Sequence, residues 1–350
     1  MKSEKGTILV TGGLGYIGSH TAVLLLEKGY DVLIIDDLSN SSLKVLENIH
    51  KISGLRPHFE QLDLKDRSSV QKLFISYPEI SSILHFAAYK SVGESVQRPL
   101  AYYQNNINGL LHLLEAMSED THFVFSSSCT VYGQAAQLPI TEDSPIQKAA
   151  SPYGNTKKIC EEILADTLKA CVKTKAISLR YFNPIGAHPS GLLGENPKNV
   201  PQNLVPYITQ SALGKIPPLI VHGDTYPTPD GTCIRDYIHI MDLAEAHIAA
   251  MEYLSNVNTQ SELIPVNLGT GKGHSVLEVI QRFEAVTGLK LHFTIGPKRD
   301  GDVTAAYANI EKAKQLLPWK PQYTLEEAMA SAWAWEQKNN SSQHIKKEQL

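Results

Sequence analysis

Three features of the 350-residue sequence predict an α/β fold with a doubly wound, mostly parallel sheet. The chain opens on a short apolar run, Thr7 to Val10, followed at once by Gly12, Gly13, Gly15 and Gly18 and then by a segment with helical spacing. Further apolar runs of strand length close near Asp36, Ala87, Ser126 and Asn183, with helical segments between them. Polar residues gather where these runs end, and that is where ligands of parallel sheets bind.

In the first unit, Thr7 and Ile8 start the strand, Ile17, Val23, Leu24, Leu25 and Leu26 give the helix its apolar face, and Gly29 ends it. The next run, VLIID, closes on Asp36, so strand, glycine turn, helix and strand follow in a Rossmann-like order. Glycines 12, 15 and 18 form G-x-x-G-x-x-G rather than G-x-G-x-x-G. The physical demand is similar: small residues let backbone N–H groups and a helix N-terminus approach a pyrophosphate, and the last lets helix and strand pack closely. An acid at the end of the second strand, 18 residues beyond Gly18, completes a dinucleotide-binding pattern. An Asp there accepts hydrogen bonds from both ribose hydroxyls and repels a 2′-phosphate, so the expected cofactor is NAD rather than NADP.

Ile83 to Ala87, His122 to Ser126 and Ile177 to Asn183 read as further buried strands, with helical segments such as Ala101 to Met117 between them. Four features fall at strand ends: Asp63 after HFEQL, Phe86 to Lys90, Ser126 to Gly133, and Tyr181 to Asn183. They are read as one shared site. Tyr153 and Lys157, four residues apart in SPYGNTK, share one face of a helix. A tyrosine titrates near ~10 and a general base works best near ~7, so roughly 4 kcal/mol must come from the surroundings. An ammonium about 4 Å away supplies roughly 1 kcal/mol in water but about 4 kcal/mol at an effective dielectric near 20. Lys157 therefore activates Tyr153 only inside a cleft, helped by a positive nicotinamide ring.

Composition excludes rather than identifies. Lys and Arg number 32 against 36 Asp and Glu, a net charge of −4, which gives no reason to expect nucleic-acid binding. Cys129, Cys160, Cys171 and Cys233 lie far apart with no C-x-x-C pair, so they are read as reduced thiols. No apolar stretch approaches the roughly 18 residues of a membrane span, and the start lacks a signal-peptide core. A soluble, cytoplasmic protein of about two domains is expected. The loop Leu268 to Ser275, LGTGKGHS, lacks phosphate-loop spacing and is read as a turn into a helix. His85 is read as a hydrogen-bonded core residue, His239 and His247 lack metal spacing, and no metal is expected. The amphipathic AEAHIAAMEYL is expected to be core, and the polar tail after Trp335 to be frayed.

The segments TGGLGYIGSH, HFAAYKSVGESV, SSSCTVYG, SPYGNTKK, YFNPIGAHPSG, PTPDGTCIRDYIHIMDLA and VNLGTGKGHSV occur in this order. Together they resemble the extended short-chain dehydrogenase/reductase superfamily and, within it, the UDP-glucose 4-epimerase family, over about Thr7 to Trp319. The resemblance implies a seven-stranded NAD-binding Rossmann domain on residues 1–182, with 236–268 returning to it, and a smaller UDP-sugar-binding α/β domain on 183–350. It implies a homodimer acting on UDP-hexoses through a transient 4-keto sugar. Cofactor contacts carried over are Gly12, Gly15, Tyr16, Ile17 and Gly18 at the pyrophosphate; Asp36, Asp37, Leu38, Ser39, Asn40 and Ser41 at the adenosine ribose; and Asp63 and Leu64 at the adenine. Phe86, Ala87, Ala88, Tyr89, Lys90, Asn105, Ser128, Tyr153, Lys157 and Phe182 complete them. Tyr153 is the implied base at the sugar 4-hydroxyl; Ser128, with Thr130, hydrogen-bonds the reacting oxygen, and Lys157 lowers the Tyr153 pKa. Implied substrate contacts are Lys90, Ser128, Tyr153, Asn183, Asn203, Leu204, Val221, His222, Arg235, Arg299, Asp302 and Ala306.

The sugar has to turn over between two hydride transfers, so the nucleotide is expected to be gripped firmly and the sugar loosely, with arginine forks on the diphosphate. The family's 4,6-dehydratase relatives carry an Asp-Glu pair where this chain has Cys129 and Thr130, which disfavours dehydration. Some members place a bulky Tyr against the sugar 2-position where this chain has Ala306, so N-acetylated UDP-hexosamines are expected to fit. Two other readings stay open: another NAD-dependent nucleotide-sugar epimerase, such as a UDP-uronate 4-epimerase, and a non-catalytic NAD-sensing protein.

Overall fold

A computed structural model describes residues 6–171, 173–258, 262–299 and 302–348, with side chains described as far as residue 341. The first half alternates β1 (Thr7–Thr11), α1 (Tyr16–Glu27), β2 (Asp31–Asp36), α2 (Leu43–Ser53), β3 (His58–Gln61), α3 (Arg67–Ser76), β4 (Ile80–His85), α4 (Val92–Gln97), α5 (Pro99–Ala116), β5 (His122–Ser128), α6 (Pro152–Ala170) and β6 (Ala176–Tyr181). The second half continues with β7 (Asn183–Ile185), α7 (Leu204–Ala212), β8 (Leu219–His222), β9 (Ile234–Arg235), β10 (Tyr237–His239), α8 (Ile240–Asn256), β11 (Ile264–Leu268), β12 (His274–Ser275), α9 (Val276–Thr287), β13 (Phe293–Gly296), β14 (Ala305–Ala306), α10 (Glu311–Leu316) and α11 (Leu325–Glu348). A 3-10 turn, Cys129–Tyr132, follows β5.

Seven strands pair in parallel in the order β11-β6-β5-β4-β1-β2-β3, the doubly wound sheet that the sequence predicts. Chain order reverses between β1 and β4, so a crevice opens at their carboxyl ends. Helices cover both faces, which is why the central strands read as continuous apolar runs rather than alternating ones. Ile8, Val10, Ile34, Leu84 and Val124 face the α1 and α8 side; Leu9, Leu33, Ile83, Phe123 and Phe125 face α3, α5 and α6. Helix α1 is apolar almost all round because it lies between the sheet and α8. The AEAHIAAMEYL segment, within α8, supplies Ala246, Ile248, Ala250, Met251 and Leu254 to this core. A separate apolar cluster joins α7, α9 and α11 through Ile208, Phe283 and Met329, over the paired strands β8 and β13.

Three local readings are corrected. Strand β4 begins at Ile80 and ends at His85, so Phe86 to Lys90 is loop. Its start was hidden because Ser81 and Ser82 interrupt the apolar run. Strand β6 ends at Tyr181, and Asn183 opens β7, which pairs with β10 instead. The tail after Trp335 is helical rather than frayed, since α11 runs to Glu348. Glu336 and Asn339 are buried there and held by Lys215 (2.7 Å) and Asn196 (3.3 Å). The loop after Leu268 leads through β12 into α9, where Ser275 and Glu278 form a capping box. Among the described residues no helix is long and apolar enough to cross a membrane.

Candidate active site

The glycine turn between β1 and α1 is held by close approach. Gly12 has φ +65°, and a Cβ on it would lie 2.8 Å from the Ala87 nitrogen. A Cβ on Gly18 would lie 2.5 Å from the Gly12 carbonyl oxygen and 2.8 Å from Gly13 Cα. Gly15 is different: its Cβ would meet only the Gly12 carbonyl oxygen, and as N-cap of α1 it offers no side-chain cap to Tyr16, Ile17 and Gly18. With no acid in the first helical turn either, this end of α1 is suited to an anion.

Asp36 ends β2 beside this turn, 8% exposed. Its carboxylate accepts from the Leu14 N–H (3.1 Å), the Leu38 N–H (2.9 Å) and Ser41 Oγ (2.6 Å). A carboxylate has about four acceptor sites, so it retains capacity for about one further donor, fewer than the two ribose hydroxyls expected. Leu38 is the one non-glycine residue at positive φ (+62°) among those described, and Ser39 N–H donates to Asp37 at 2.8 Å; Ser39 and Asn40 are exposed. Asp63 follows β3, where it accepts from the Lys65 N–H (2.9 Å) and pairs with Lys65 Nζ (3.4 Å); Leu64 is buried beneath Gly109.

The loop after β4 crosses back over the glycine turn. Phe86 N–H donates to the Thr11 carbonyl (3.1 Å) and Ala87 N–H to Thr11 Oγ1 (3.3 Å), whose hydroxyl also meets His85 Nδ1 (2.8 Å). His85 is 3% exposed and hydrogen-bonded, the core role expected of it. Ala88 is half-buried, and Asn106 clamps both the N–H and the carbonyl of Tyr89 (2.8 and 3.1 Å) while accepting from Asn105 Nδ2 (3.0 Å).

Ser151 caps α6 with Pro152 at its first position, which sets Tyr153 and Lys157 on the buried face of the first turns. Tyr153 is 8% exposed, Lys157 3% and Ser128 7%. Burial is the main force on the phenol and pushes its pKa well up, with Tyr181 adding to the rise and the Ser128 hydroxyl opposing it. Burial likewise pulls the Lys157 ammonium down to about 8, against Cys160 and Glu161. Lys157 Nζ donates to the Ser126 carbonyl at 2.6 Å and lies 4.9 Å from the centre of the Phe125 ring. The lysine is thus held by β5, and burial dominates the phenol where the sequence suggested a lowered one. Ser128 Oγ accepts from the Thr130 N–H (3.2 Å), and Thr130 Oγ1 is buried without a hydrogen-bond partner.

The second half contributes two groups. Arg235 and Arg299 both pair with Asp302: Arg299 Nε at 2.9 Å and Nη2 at 3.3 Å, Arg235 Nη2 at 3.7 Å. Ala306 is paired with Arg235 between β14 and β9, and is packed with Phe182 and Tyr132. Asn183 N–H donates to the Asp236 carbonyl (3.0 Å), so β7 starts against the arginine-bearing segment. Lys90 Nζ and Asn203 Nδ2, just before Leu204 opens α7, converge on Glu195 Oε1 at 2.8 and 2.7 Å. Val221 belongs to the apolar core of the second half, and His222 Nδ1 contacts the Pro297 carbonyl at 3.3 Å.

Sequence reasoning missed Glu195, for which GLLGENP carries no local signal. Tyr181, which the sequence placed at the shared site only as part of a strand-end segment, ends β6 beside Phe182, hydrogen-bonds Ser126 Oγ and influences Tyr153. Its place at a strand's carboxyl end was the signal for that placement, and its contacts with Ser126 and Tyr153 had none.

A family model described as GDP-mannose 4,6 dehydratase matches residues 9–332. The UDP-glucose 4-epimerase of Neisseria meningitidis serogroup B is 49% identical over 334 residues, 95% of this chain and 97% of that protein. The solved structure of UDP-glucose 4-epimerase from Bifidobacterium longum, in complex with NAD+ and UDP, superposes with a TM-score of 0.91 at 43% identity, covering 95% of this chain and 99% of that one. The enzyme from Stenotrophomonas maltophila, with bound NAD and formylated UDP-arabinopyranose, also gives 0.91, at 44% identity over 96% and 99%. With relatives this similar over nearly the whole of both chains, the chain belongs to the UDP-glucose 4-epimerase family of the extended short-chain dehydrogenase/reductase superfamily.

Proposed function

We propose that this chain catalyses the reversible 4-epimerisation of UDP-glucose and UDP-galactose, with NAD as its cofactor. The observation that carries the reading is the buried convergence of Tyr153, Lys157 and Ser128 at the end of β5, in the crevice that the glycine turn and Asp36 also face. The residues fit the cofactor. The uncapped start of α1 suits a pyrophosphate, Gly12 and Gly18 leave no room for a Cβ, and the Asp36 carboxylate suits an unphosphorylated ribose. When bound, NAD supplies the hydride acceptor, and then donor, at carbon 4 of the sugar.

The chain's own residues handle the proton and the orientation. Tyr153 takes the proton of the 4-hydroxyl and later returns it, while Ser128 hydrogen-bonds the same oxygen. Burial opposes the phenolate and the Ser128 hydroxyl favours it; the further stabilisation that makes Tyr153 a base is assigned to the positive charge of Lys157, four residues on along the same helix face. Arg235 and Arg299 suit the two phosphates, and with anchoring concentrated there the 4-keto sugar is free to present its other face.

Two extensions belong to this reading. Ala306 is small and packed near the turn that carries Thr130; a side chain of this size in place of a bulky one is taken to admit a 2-acetamido group, so UDP-N-acetylglucosamine and UDP-N-acetylgalactosamine are also interconverted. The chain acts as a cytoplasmic homodimer; supporting this, the four cysteines are free, and Val92, Val96 and Leu100 on α4 and α5 are 49%, 61% and 75% exposed.

The test is turnover by purified protein given UDP-galactose, or UDP-N-acetylgalactosamine, without added NAD, followed as the glucose epimers. Tyr153→Phe is expected to lose about 10²- to 10⁴-fold in kcat while keeping its NAD; near wild-type turnover removes Tyr153 from the base role. Ala306→Tyr is expected to abolish only the N-acetyl reaction; equal loss on both sugar pairs refutes the specificity assignment.

A further inference from the structure

One turn beyond Lys157 on α6, Glu161 is 5% exposed and accepts from five donor contacts. Ser127 Oγ and Ser178 Oγ each donate at 2.6 Å, and Arg180 donates through Nε (3.0 and 3.2 Å) and Nη2 (2.6 Å). Arg180 Nη1 donates in turn to Tyr132 OH (3.0 Å), which donates to Asn267 Oδ1 (2.7 Å), and Asn267 Nδ2 donates to the Ile140 carbonyl (2.9 Å). Three of these anchors adjoin groups at or beside the proposed site. Ser127 lies between Ser128 and Ser126, whose carbonyl holds Lys157. Arg180 precedes Tyr181, and Tyr132 closes the turn that carries Thr130.

A buried ion pair is a poor source of net stability, because desolvation rivals the Coulomb gain, yet breaking one strands a charge. Its use here is placement. We propose that Glu161, braced by Arg180, is a positioning residue for the reaction: it pins α6 to β5 and β6 and supplies the counter-charge that keeps the buried Lys157 ammonium ionised.

The groups that face Lys157 support this. From β4 comes His85, held by burial at about 3, and from α6 comes Cys160, raised by burial to about 12, so both are neutral near pH 7. Strand β5 presents the Phe125 ring and the Ser126 carbonyl, and the turn before Lys157 on α6 presents Tyr153, itself pushed up by burial. Glu161 is left as the carboxylate that favours the ammonium, and Arg180, from β6, faces that carboxylate.

The inference rests on the assignment of Tyr153 and Lys157 above and makes a prediction of opposite signs. The pH dependence of kcat with UDP-galactose is measured for Glu161→Gln, Arg180→Met, Glu161→Asp and the double variant Glu161→Gln/Arg180→Met, with NAD content and thermal midpoint followed beside it. Glu161→Gln moves the alkaline limb down by about 1–2 pH units, and Arg180→Met moves it up, since the carboxylate is then unshared. Glu161→Asp, which keeps the charge, and the double variant, which removes both, stay near the wild-type limb. A purely structural role lowers kcat or the melting midpoint in both single variants without opposite displacements, and that result, or unmoved limbs, overturns the proposal. Should either single variant fail to fold, a displaced limb in Glu161→Asp overturns it and an undisplaced one sustains it. Lys157→Met in the same series separates the two levels: full activity there sinks the underlying assignment, whereas loss there with unmoved Glu161→Gln and Arg180→Met limbs sinks only the role of Glu161.

Discussion

Replacing Lys157 by Met should stabilise the protein at pH 7 while abolishing its turnover. The lysine is 3% exposed, and its pKa falls from an ordinary 10.5 to about 8 because burial disfavours the ammonium more than its surroundings favour it. At 1.36 kcal/mol per pKa unit, keeping the charge in the folded state costs roughly 3 kcal/mol. Met removes that cost and fills a similar volume, but it strands the Ser126 carbonyl and loses the contact with the Phe125 ring, together about 1–2 kcal/mol. The expected net gain at pH 7 is about 1–2 kcal/mol. The pH dependence carries the sharper signature. Between pH 8 and 10.5 the unfolded lysine still binds its proton and the folded one does not, so wild-type stability rises with pH through that window by roughly 2.5 kcal/mol by pH 10. The variant lacks this rise, and other titrating groups cancel in the difference, so the order of stability reverses by pH 10. Urea unfolding of the NAD-free proteins at pH 7 and pH 10 measures this, free of the stabilisation that bound cofactor adds. A variant less stable at pH 7, or a difference independent of pH, refutes the reasoning.

Gly18→Ala puts a Cβ 2.5 Å from the Gly12 carbonyl and 2.8 Å from Gly13 Cα, both backbone, so the turn must shift. The expected cost is about 1–3 kcal/mol, with weaker NAD retention, and a melting midpoint and NAD content equal to wild type would contradict it. Arg235→Met removes a proposed diphosphate contact and leaves Arg299 alone with Asp302. KM for UDP-galactose should rise by about 10- to 100-fold with kcat within about threefold, and a fall in kcat at unchanged KM would place Arg235 at the reacting sugar instead.

Two parts of the site were legible because they are local. The glycine turn, α1 and Asp36 lie within one strand-helix-strand unit, where three-dimensional neighbours are sequence neighbours at predictable spacing. Tyr153 and Lys157 were legible for the same reason, since four residues on a helix share a face. The limit appears one interaction further out. Sequence suggested that Lys157 lowers the Tyr153 pKa, whereas the folded chain places its Nζ on the carbonyl of Ser126, 31 residues away, and burial dominates both groups. Lys90 and Asn203, read as separate ligand contacts, meet on Glu195, which is 105 residues from Lys90.

Periodicity, glycine spacing and turn chemistry thus determine the class of fold, the helix that presents Tyr153 and Lys157 and the crevice where a dinucleotide fits, because each is set by backbone geometry over a few residues. Tertiary structure alone decides which groups are charged. Desolvation depends on what covers a side chain, and Lys157, Glu161 and Arg180 acquire their buried partners only when β5, α6 and β6 close on one another. The same closure turns α11 from a polar tail into a docked helix through Glu336 and Asn339, whose partners lie more than 100 residues away.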